Sequence, residues 1–147
     1  MSTQENQAEP AEIVHRFIEE CVNGGDLDVV DDLWAEDMIW RGGSLGEIHG
    51  RAPYKEMLAA NVGRAFTGMH LEILRTVTDG DTVVLLFTNS GTHEGEFLGV
   101  PATGGSARWH GVGFYRVSEG RIAEALFVED ILDALVQLGA IDLAPRG

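Results

Sequence analysis

Residues 91–139 read GTHEGEFLGVPATGGSARWHGVGFYRVSEGRIAEALFVEDILDALVQLG, and they carry the strongest secondary-structure signals in the chain. It predicts the end of one strand, a loop rich in glycine with one proline, a long β-hairpin and a closing helix. The expected hairpin turn is Ser118-Glu119-Gly120-Arg121, because this short polar stretch with a glycine separates two apolar runs.

The expected register of the hairpin gives the sharpest chemical indication in the chain. If Val117 pairs with Ile122, uninterrupted antiparallel pairing places His110 opposite Glu129. Directly opposed residues point to the same face of a sheet, so the imidazole and the carboxylate would meet there among apolar side chains. A slip of one residue would send one of the two partners to the other face.

The other segments predict three helices followed by long strands. The expected elements are helices over 10–23, over 27–35 and from Arg51 onward, strands over 38–41, 69–78, 82–92, 107–117 and 121–129, and a final helix over 131–138. Asp130 is expected to cap that final helix. Helices followed by a meander of strands predict an α+β fold, with one side of the sheet covered by helices and the other available for a dimer interface.

Length, composition and charge bound the class of protein. The 147 residues fit a single domain, which we place at 9–140, with a disordered lead at 1–8 and a tail at 141–147. The net charge of −14 argues against nucleic acid or an anionic membrane as a partner. No transmembrane run or signal-peptide pattern is present, and Cys21 is the single cysteine, so we expect a cytoplasmic protein.

Three motifs carry a resemblance to a known family: GTHEGEFLGVPATGG at 91–105, GFYRVSEGRIAE at 113–124, and a D-x-L-x-x-L-x-Q-L-G ending that starts at Asp130. With them the chain resembles the SnoaL-like polyketide cyclases of the nuclear-transport-factor-2-like superfamily over residues 10–140. The resemblance implies a curved mixed or antiparallel sheet that forms a cone around the N-terminal helices, with an apolar pocket inside. It also implies dimerisation through the sheet and no metal or organic cofactor.

The resemblance implies two alternative chemistries, and the chain departs from both. SnoaL-like cyclases close rings by intramolecular aldol chemistry, and the related limonene-epoxide hydrolases open epoxides with an Asp-Arg-Asp set. Both branches commonly carry an aspartate three residues before the position of Asp130, where this chain has Phe127. With Pro101 as the fixed point, the Arg-x-Asp of the epoxide hydrolases becomes His93-Glu94-Gly95.

The remaining candidate catalytic residues on the expected pocket face are His110, Glu129 and His93. Histidine titrates near neutral pH, and a neighbouring carboxylate would orient its ring and raise its basicity. Apolar surroundings would raise the pKa of Glu129, so either side chain could carry the working proton. The structural alternatives are a polar pair that fixes the hairpin for His110 and Glu129, and a solvent-facing strand end for His93.

Further residues are candidates for substrate binding. Trp40 would provide an aromatic floor for a planar substrate, with packing as the alternative. Asn89 and Phe87 share the strand alternation of His93 and would point inward. The complete set of expected substrate-binding residues is Trp40, His49, Phe87, Asn89, Phe114 and Phe127. No compact histidine pair predicts a metal site, and no glycine pattern predicts a nucleotide loop, so no cofactor is expected.

The leading hypothesis is a small cofactor-independent enzyme that performs general acid–base chemistry on an apolar, polyketide-like molecule. Ring closure or isomerisation would use His110 paired with Glu129 to move the proton, while His93 or Asn89 would hold a substrate oxygen. Epoxide opening is one alternative. A non-catalytic binding module is the other, because neither family catalytic set is complete.

Overall fold

The computed structural model describes residues 8–144. The disordered lead expected at 1–8 lies, apart from Ala8, outside the described residues, as do residues 145–147 of the expected tail. The helices are α1 (Pro10–Phe17), which continues as a π-helical turn (Ile18–Val22), α2 (Val29–Leu33), α3 (Arg51–Asn61) and α4 (Ile131–Gln137). The strands are β1 (Trp34–Arg41), β2 (Glu47–His49), β3 (Phe66–Asp79), β4 (Thr82–His93), β5 (Ser106–Ser118) and β6 (Arg121–Glu129).

The six strands form one mixed sheet in the order β2-β1-β6-β5-β4-β3. β1 runs parallel to β6, and every other neighbouring pair is antiparallel. The expected α+β fold, with a mixed sheet and helices on one side, is confirmed. Among residues 8–144, no helix is long and apolar enough to cross a membrane.

The helices cover the inner face of the sheet through an aromatic cluster. Trp34 is fully buried, with its ring centroid 5.3 Å from that of Phe17 on α1 and 4.6 Å from that of Tyr54 on α3. Because each such ring buries a large apolar area, this cluster ties α1 and α3 to the sheet. It also explains why β1 begins at Trp34, four residues earlier than expected: tertiary packing overrides the helical pattern there.

The hairpin turn is confirmed, but the expected register beyond it is wrong. Ser118 pairs with Arg121 and Val117 pairs with Ile122. The next pair is Arg116 with Glu124, so Ala123 is an extra residue on β6, a β-bulge. Beyond this bulge, each residue of β5 pairs with the β6 residue one position later than expected. Glu129 therefore pairs with Gly111, not with His110.

This bulge determines which hairpin residues lie on each face of the sheet. The inner face receives the buried side chains of Trp109, Tyr115, Ala125 and Phe127. The outer face carries apolar side chains that are partly exposed, namely Leu86, Val112, Phe114, Leu126 and Val128. We refer to these five residues as the outer apolar face.

Candidate active site

A cavity of about 70 Å³ lies between the inner face of the sheet and the N-terminal helices. Its volume is several times what one water molecule needs. Most of its wall is apolar, and the residues that shape it include Phe17, Trp40, Leu71, Phe97 and Phe127. The lining side chains with a nitrogen or oxygen atom are Trp40, Tyr54, Asn61, Asn89, Trp109 and Glu129. An apolar pocket with few convergent polar groups is the usual form of a small-molecule site.

Glu129 is the acidic side chain of this cavity, and two donors hold it. Asn89 Nδ2 and Trp109 Nε1 each donate a hydrogen bond to Glu129 Oε1, both at 2.9 Å. No group among residues 8–144 donates to Oε2. The carboxylate is thus fixed through one oxygen, and its second oxygen is left for another partner.

The strand pairing explains why these three side chains meet. Asn89 pairs with Trp109 across β4 and β5, and Glu129 pairs with Gly111 across β6 and β5, so all of them point to the inner face. Gly111 makes the meeting possible. A Cβ atom there would lie 2.8 Å from Glu129 Cγ and 2.5 Å from Phe87 Cζ, so a side chain would occupy the space that the glutamate uses.

The surroundings of Glu129 shift its acidity. Burial raises the pKa of Glu129 above its usual value, because the charged form loses hydration. The hydrogen bonds from Trp109 and Asn89 favour the charged form and oppose this rise without cancelling it. A carboxylate with a raised pKa is a stronger base when ionised and a usable acid when protonated.

His110 lies on the opposite side of the sheet. Its side chain is exposed, it pairs with Thr88 on β4, and it borders Leu86, Val112 and Val128 on the outer apolar face. The expectation that it shares a face with Glu129 fails because the bulge at Ala123 shifts the register by one residue. Trp109 and Asn89 donate hydrogen bonds to Glu129, whereas the sequence predicted His110 as its neighbour.

His93 is buried but is used to hold a loop. The backbone N–H of Thr103 donates to His93 Nδ1 at 3.3 Å, and Thr103 Oγ1 lies 3.0 Å from the same nitrogen. Nδ1 is thus an acceptor, which places the proton of the neutral ring on Nε2. His93 is not part of the cavity wall. It fixes the loop over 94–105, from which Phe97 reaches the cavity.

The expected substrate-binding residues divide into two groups. Trp40, Asn89 and Phe127 line the cavity, and Phe87 is buried behind Phe127 with a centroid separation of 5.6 Å. His49 is exposed on the edge strand β2, where its Nε2 lies 2.8 Å from Glu47 Oε2. Phe114 is 44% exposed on the outer apolar face, since even-numbered residues of β5 point outward. These last two lie outside the cavity, contrary to expectation.

Trp109 is a site residue that the sequence reasoning missed. The expected register assigned it to the face away from Glu129. A signal was nevertheless present in Trp109-x-Gly111-x-Gly113, because two glycines on one face of a strand indicate close approach by other side chains. A Cβ at Gly113 would indeed lie 3.0 Å from the ring of Phe127.

As for metals, residues 8–144 contain no cluster of three His, Cys, Asp or Glu side chains suited to hold a metal ion.

The raised pKa of Glu129 predicts how stability depends on pH. The folded protein holds this proton more tightly than the unfolded chain, whose glutamate titrates near 4.5. The free energy of unfolding should fall as the pH rises from that value through the raised pKa, and then level off. In Glu129→Gln this loss should be absent, so the variant should be more stable than the wild type at neutral pH. Urea unfolding of the wild type and of Glu129→Gln between about pH 4 and pH 8 measures how the free energy of unfolding changes with pH in each protein.

A matched control for this experiment is Glu124→Gln on the same strand. The hydrogen bond from Arg116 lowers the pKa of Glu124, so this exposed carboxylate favours the folded state when it is charged. The Glu124 variant should retain the wild-type loss of stability with rising pH. Equal slopes for the wild type and Glu129→Gln would contradict the raised pKa of Glu129.

The fold and the cavity together define a cone-shaped α+β protein with one acidic side chain in an apolar pocket. A family model described as SnoaL-like polyketide cyclase matches residues 12–138. The chain therefore belongs to the SnoaL-like polyketide cyclase family, which confirms the resemblance carried by the three motifs. No curated protein matches this chain.

Solved structures agree with this assignment. The candidate hydroxylase AclR from Streptomyces galilaeus is 27% identical, with a TM-score of 0.79 over 95% of this chain and 87% of that one. The candidate polyketide cyclase IdmH from Streptomyces antibioticus is 28% identical, with a TM-score of 0.78 over 90% and 99%. An LEH-like epoxide hydrolase from M. tuberculosis is 21% identical, with a TM-score of 0.71 over 90% and 91%, and shares the fold.

Proposed function

We propose that this protein is a cofactor-independent enzyme that catalyses ring closure or isomerisation of an apolar, polyketide-like carbonyl compound. Glu129 acts as the general base and then as the general acid. The observation that carries the proposal is the buried carboxylate of Glu129, held through Oε1 by Asn89 and Trp109 in an otherwise apolar cavity. The family and the candidate cyclase IdmH support a polyketide-like substrate.

The proposed reaction needs no external reagent. Glu129 takes a proton from a carbon next to a carbonyl group, and the electron pair of that C–H bond forms an enolate. The enolate carbon then bonds to a second carbonyl carbon of the same molecule, and the new alkoxide takes the proton back from the carboxyl group of Glu129. In isomerisation the proton returns to a different carbon. A dry cavity and a raised pKa both favour proton abstraction from carbon.

Epoxide opening has less support. Of the positions that would correspond to the hydrolase Arg-x-Asp, the arginine position holds His93, which is engaged with Thr103, and the aspartate position holds Gly95, which has no side chain. Glu94 between them accepts a hydrogen bond from Thr67 at 2.8 Å on the surface. No arginine of the described chain lines the cavity. The arginine of the hydrolase set therefore has no counterpart beside Glu129, and we rank ring closure and isomerisation above epoxide opening.

Proton exchange on a simple ketone tests the proposal. The wild-type protein is incubated with 2-tetralone in D₂O, and NMR measures deuterium incorporation next to the carbonyl group. Exchange that is faster than the buffer rate and depends on Glu129 supports general acid–base catalysis. If 2-tetralone binds and its exchange stays at the buffer rate, the protein is better explained as a non-catalytic binding module. Styrene oxide hydrolysis, measured in parallel, reports on epoxide opening.

We also propose a homodimer formed through the outer apolar face. Phe114 and Leu126 are each 44% exposed and Val128 is 62% exposed, which is unusual for neighbouring side chains at the centre of a sheet. Salt bridges border the patch, including Arg116 with Glu124 at 2.8 Å and Arg108 with Glu72 at 3.3 Å. An apolar centre with a charged rim is typical of a protein–protein interface.

A charge at the centre of this face should separate the two copies. Phe114→Glu should convert a dimer into a monomer in size-exclusion chromatography with light scattering, because two buried glutamates would lack partners. Leu98→Glu is the control, since Leu98 is also exposed but lies on the loop over 94–105. A wild type that is already monomeric would contradict the proposed dimer.

We retain the cytoplasm as the proposed location. The single cysteine, Cys21, is buried on the π-helical turn, and burial raises the pKa of its thiol to about 12. Such a thiol stays protonated and unreactive at neutral pH. This chemistry needs no oxidising compartment, and it supports the proposed location.

A further inference from the structure

A second apolar space adjoins the helix side of the cavity. It is a groove of about 150 Å³ between the segment over 21–27 and the end of α3. Val22, Leu58 and Val62 line both the cavity and the groove, so their side chains form the wall between the two spaces. The other residues that line the groove are Cys21, Gly25, Leu27 and Ala59.

The lining of the groove suits an apolar ligand group. Among the described residues, no side chain that lines it is charged or carries an amide or hydroxyl group. Cys21 is a free, buried cysteine, which behaves as a small apolar residue. Leu27, Ala59 and Val62 are partly exposed, so the groove opens to solvent on that side. Because an apolar group releases water from such a surface, an alkyl or aryl group is favoured there over a polar one.

The cavity beside Glu129 is too small to enclose the proposed substrate. An apolar cavity of about 150 Å³ holds one benzene molecule, whereas the volume of this cavity is about 70 Å³. A polyketide-like molecule is larger than benzene and therefore needs space beyond the cavity. The groove provides about twice the volume of the cavity, and only side chains stand between the two spaces.

We propose that the substrate extends from Glu129 through the helix wall into this groove, so that the enzyme acts on carbonyl compounds with an apolar alkyl or aryl tail. This inference rests on the proposed function, because it assigns the substrate class of the same cavity. Glu129 lies on β6 in the sheet wall, whereas Leu58 on α3 and Val62 just after it lie in the opposite wall. With the reacting carbonyl group at Glu129, the rest of the molecule points towards the helices and the groove.

The two sides of the dividing wall differ in how they are held. Asn23, next to Val22, binds the backbone of Leu71 on β3: its Nδ2 donates to the carbonyl oxygen at 2.9 Å, and its Oδ1 accepts from the N–H at 2.8 Å. This side is therefore anchored to the sheet. Leu58 and Val62 lie one helical turn apart and have space on both sides. Rotation of these two side chains joins the cavity and the groove without a change of the backbone.

The test uses phenyl ketones that differ only in the length of their alkyl chain. Isothermal titration calorimetry measures the dissociation constants of acetophenone, butyrophenone and hexanophenone for the wild type, Ala59→Phe and Ala60→Phe. The affinity of the wild type should rise about fourfold for each methylene group that enters the groove. In Ala59→Phe the new ring fills the groove, so the three ketones should bind with nearly equal affinity. Ala60→Phe is the matched control and should behave as the wild type, because Ala60 is exposed and lines neither space.

Two results of the titrations would overturn the inference. One is an affinity of the wild type that does not depend on chain length. The other is a full gain for each methylene group in Ala59→Phe, which would place the chain outside the groove. Crystals of the wild type soaked with hexanophenone decide the matter without a variant. The alkyl chain should contact Leu27 and Ala59, and a chain that leaves the cavity in another direction contradicts the inference.

The outcome is separable from that of the proposed function. The titrations measure binding, whereas the exchange assay on 2-tetralone measures proton transfer. Glu129→Gln should keep the dependence on chain length, because Glu129 does not line the groove. A protein with this dependence and no exchange would be a binding module with an extended site. A protein with exchange and no such dependence would be an enzyme whose substrate does not enter the groove.

Discussion

Replacing Glu129 with glutamine should lower the rate of deuterium exchange on 2-tetralone by about a hundred- to ten-thousand-fold, the usual contribution of one general acid–base group. Glutamine keeps the size of the side chain and an acceptor for Asn89 Nδ2 and Trp109 Nε1, so the shape of the cavity should persist. It cannot take a proton at neutral pH. The loss of rate should therefore occur without a loss of stability.

The controls for Glu129→Gln are Glu124→Gln on β6 and His110→Ala on the neighbouring strand β5. Glu124→Gln removes a carboxylate of β6 that binds Arg116 on the outer side of the sheet, and it should leave the exchange rate unchanged. His110→Ala should do the same, because His110 is exposed and borders the outer apolar face. A Glu129→Gln protein that retains the wild-type rate would remove Glu129 from the mechanism. Loss of rate in His110→Ala would restore the histidine to it.

Adding one methyl group at Gly111 should destabilise the protein by about 1–3 kcal/mol, the usual cost of overpacking a core. The new Cβ atom would lie 2.5 Å from Phe87 Cζ and 2.8 Å from Glu129 Cγ, both closer than real contacts allow. Phe87 is fully buried, so its ring can move only by displacing its neighbours. The carboxylate of Glu129 would have to shift, so Gly111→Ala should also slow proton exchange.

His110→Ala is the matched control for Gly111→Ala, because the two positions are neighbours on β5 and face opposite sides. An exposed histidine replaced by alanine should change the free energy of unfolding by less than about 0.5 kcal/mol. Urea unfolding of both variants tests the observed register directly. If His110→Ala were the more damaging of the two, His110 and not Gly111 would face the interior, as the bulge-free register requires.

The opposing effects expected of Glu129→Gln agree with the usual conflict between stability and function. Burial raises the pKa of Glu129, so the ionised side chain destabilises the folded protein at neutral pH. The same raised pKa makes it a better base for carbon acids. A side chain that costs stability and yet is held by two hydrogen bonds is the pattern expected of a catalytic group.

Much of the fold was predictable because its signals are local. The Ser118–Arg121 turn, the long strands and the cap of α4 were all expected, and Asp130 Oδ1 indeed accepts from the backbone N–H of Asp133 at 3.0 Å. The inward direction of Asn89 and Phe87 was also expected, because side chains alternate along a strand. Each of these features depends on a few consecutive residues.

The candidate site was predicted only in part. The sequence predicts Glu129 as a catalytic residue and Trp40, Asn89 and Phe127 as lining residues, and all four lie in the wall of the cavity. The predicted partner of Glu129 is wrong, since Trp109 and not His110 lies beside the carboxylate and donates a hydrogen bond to it. His93 was expected to meet the substrate, and the loop over 94–105 engages it through Thr103. These differences concern contacts between residues far apart in the chain.

The family, the α+β class and the acidic residue of the cavity can all be inferred from the amino-acid sequence. What that residue contacts depends on tertiary packing, because a single bulge at Ala123 reverses which residues of β5 face it. Period-two alternation is a property of one strand and is visible in the sequence. The position of a bulge depends on how two strands and the helices beneath them pack together, and no short stretch of residues encodes it.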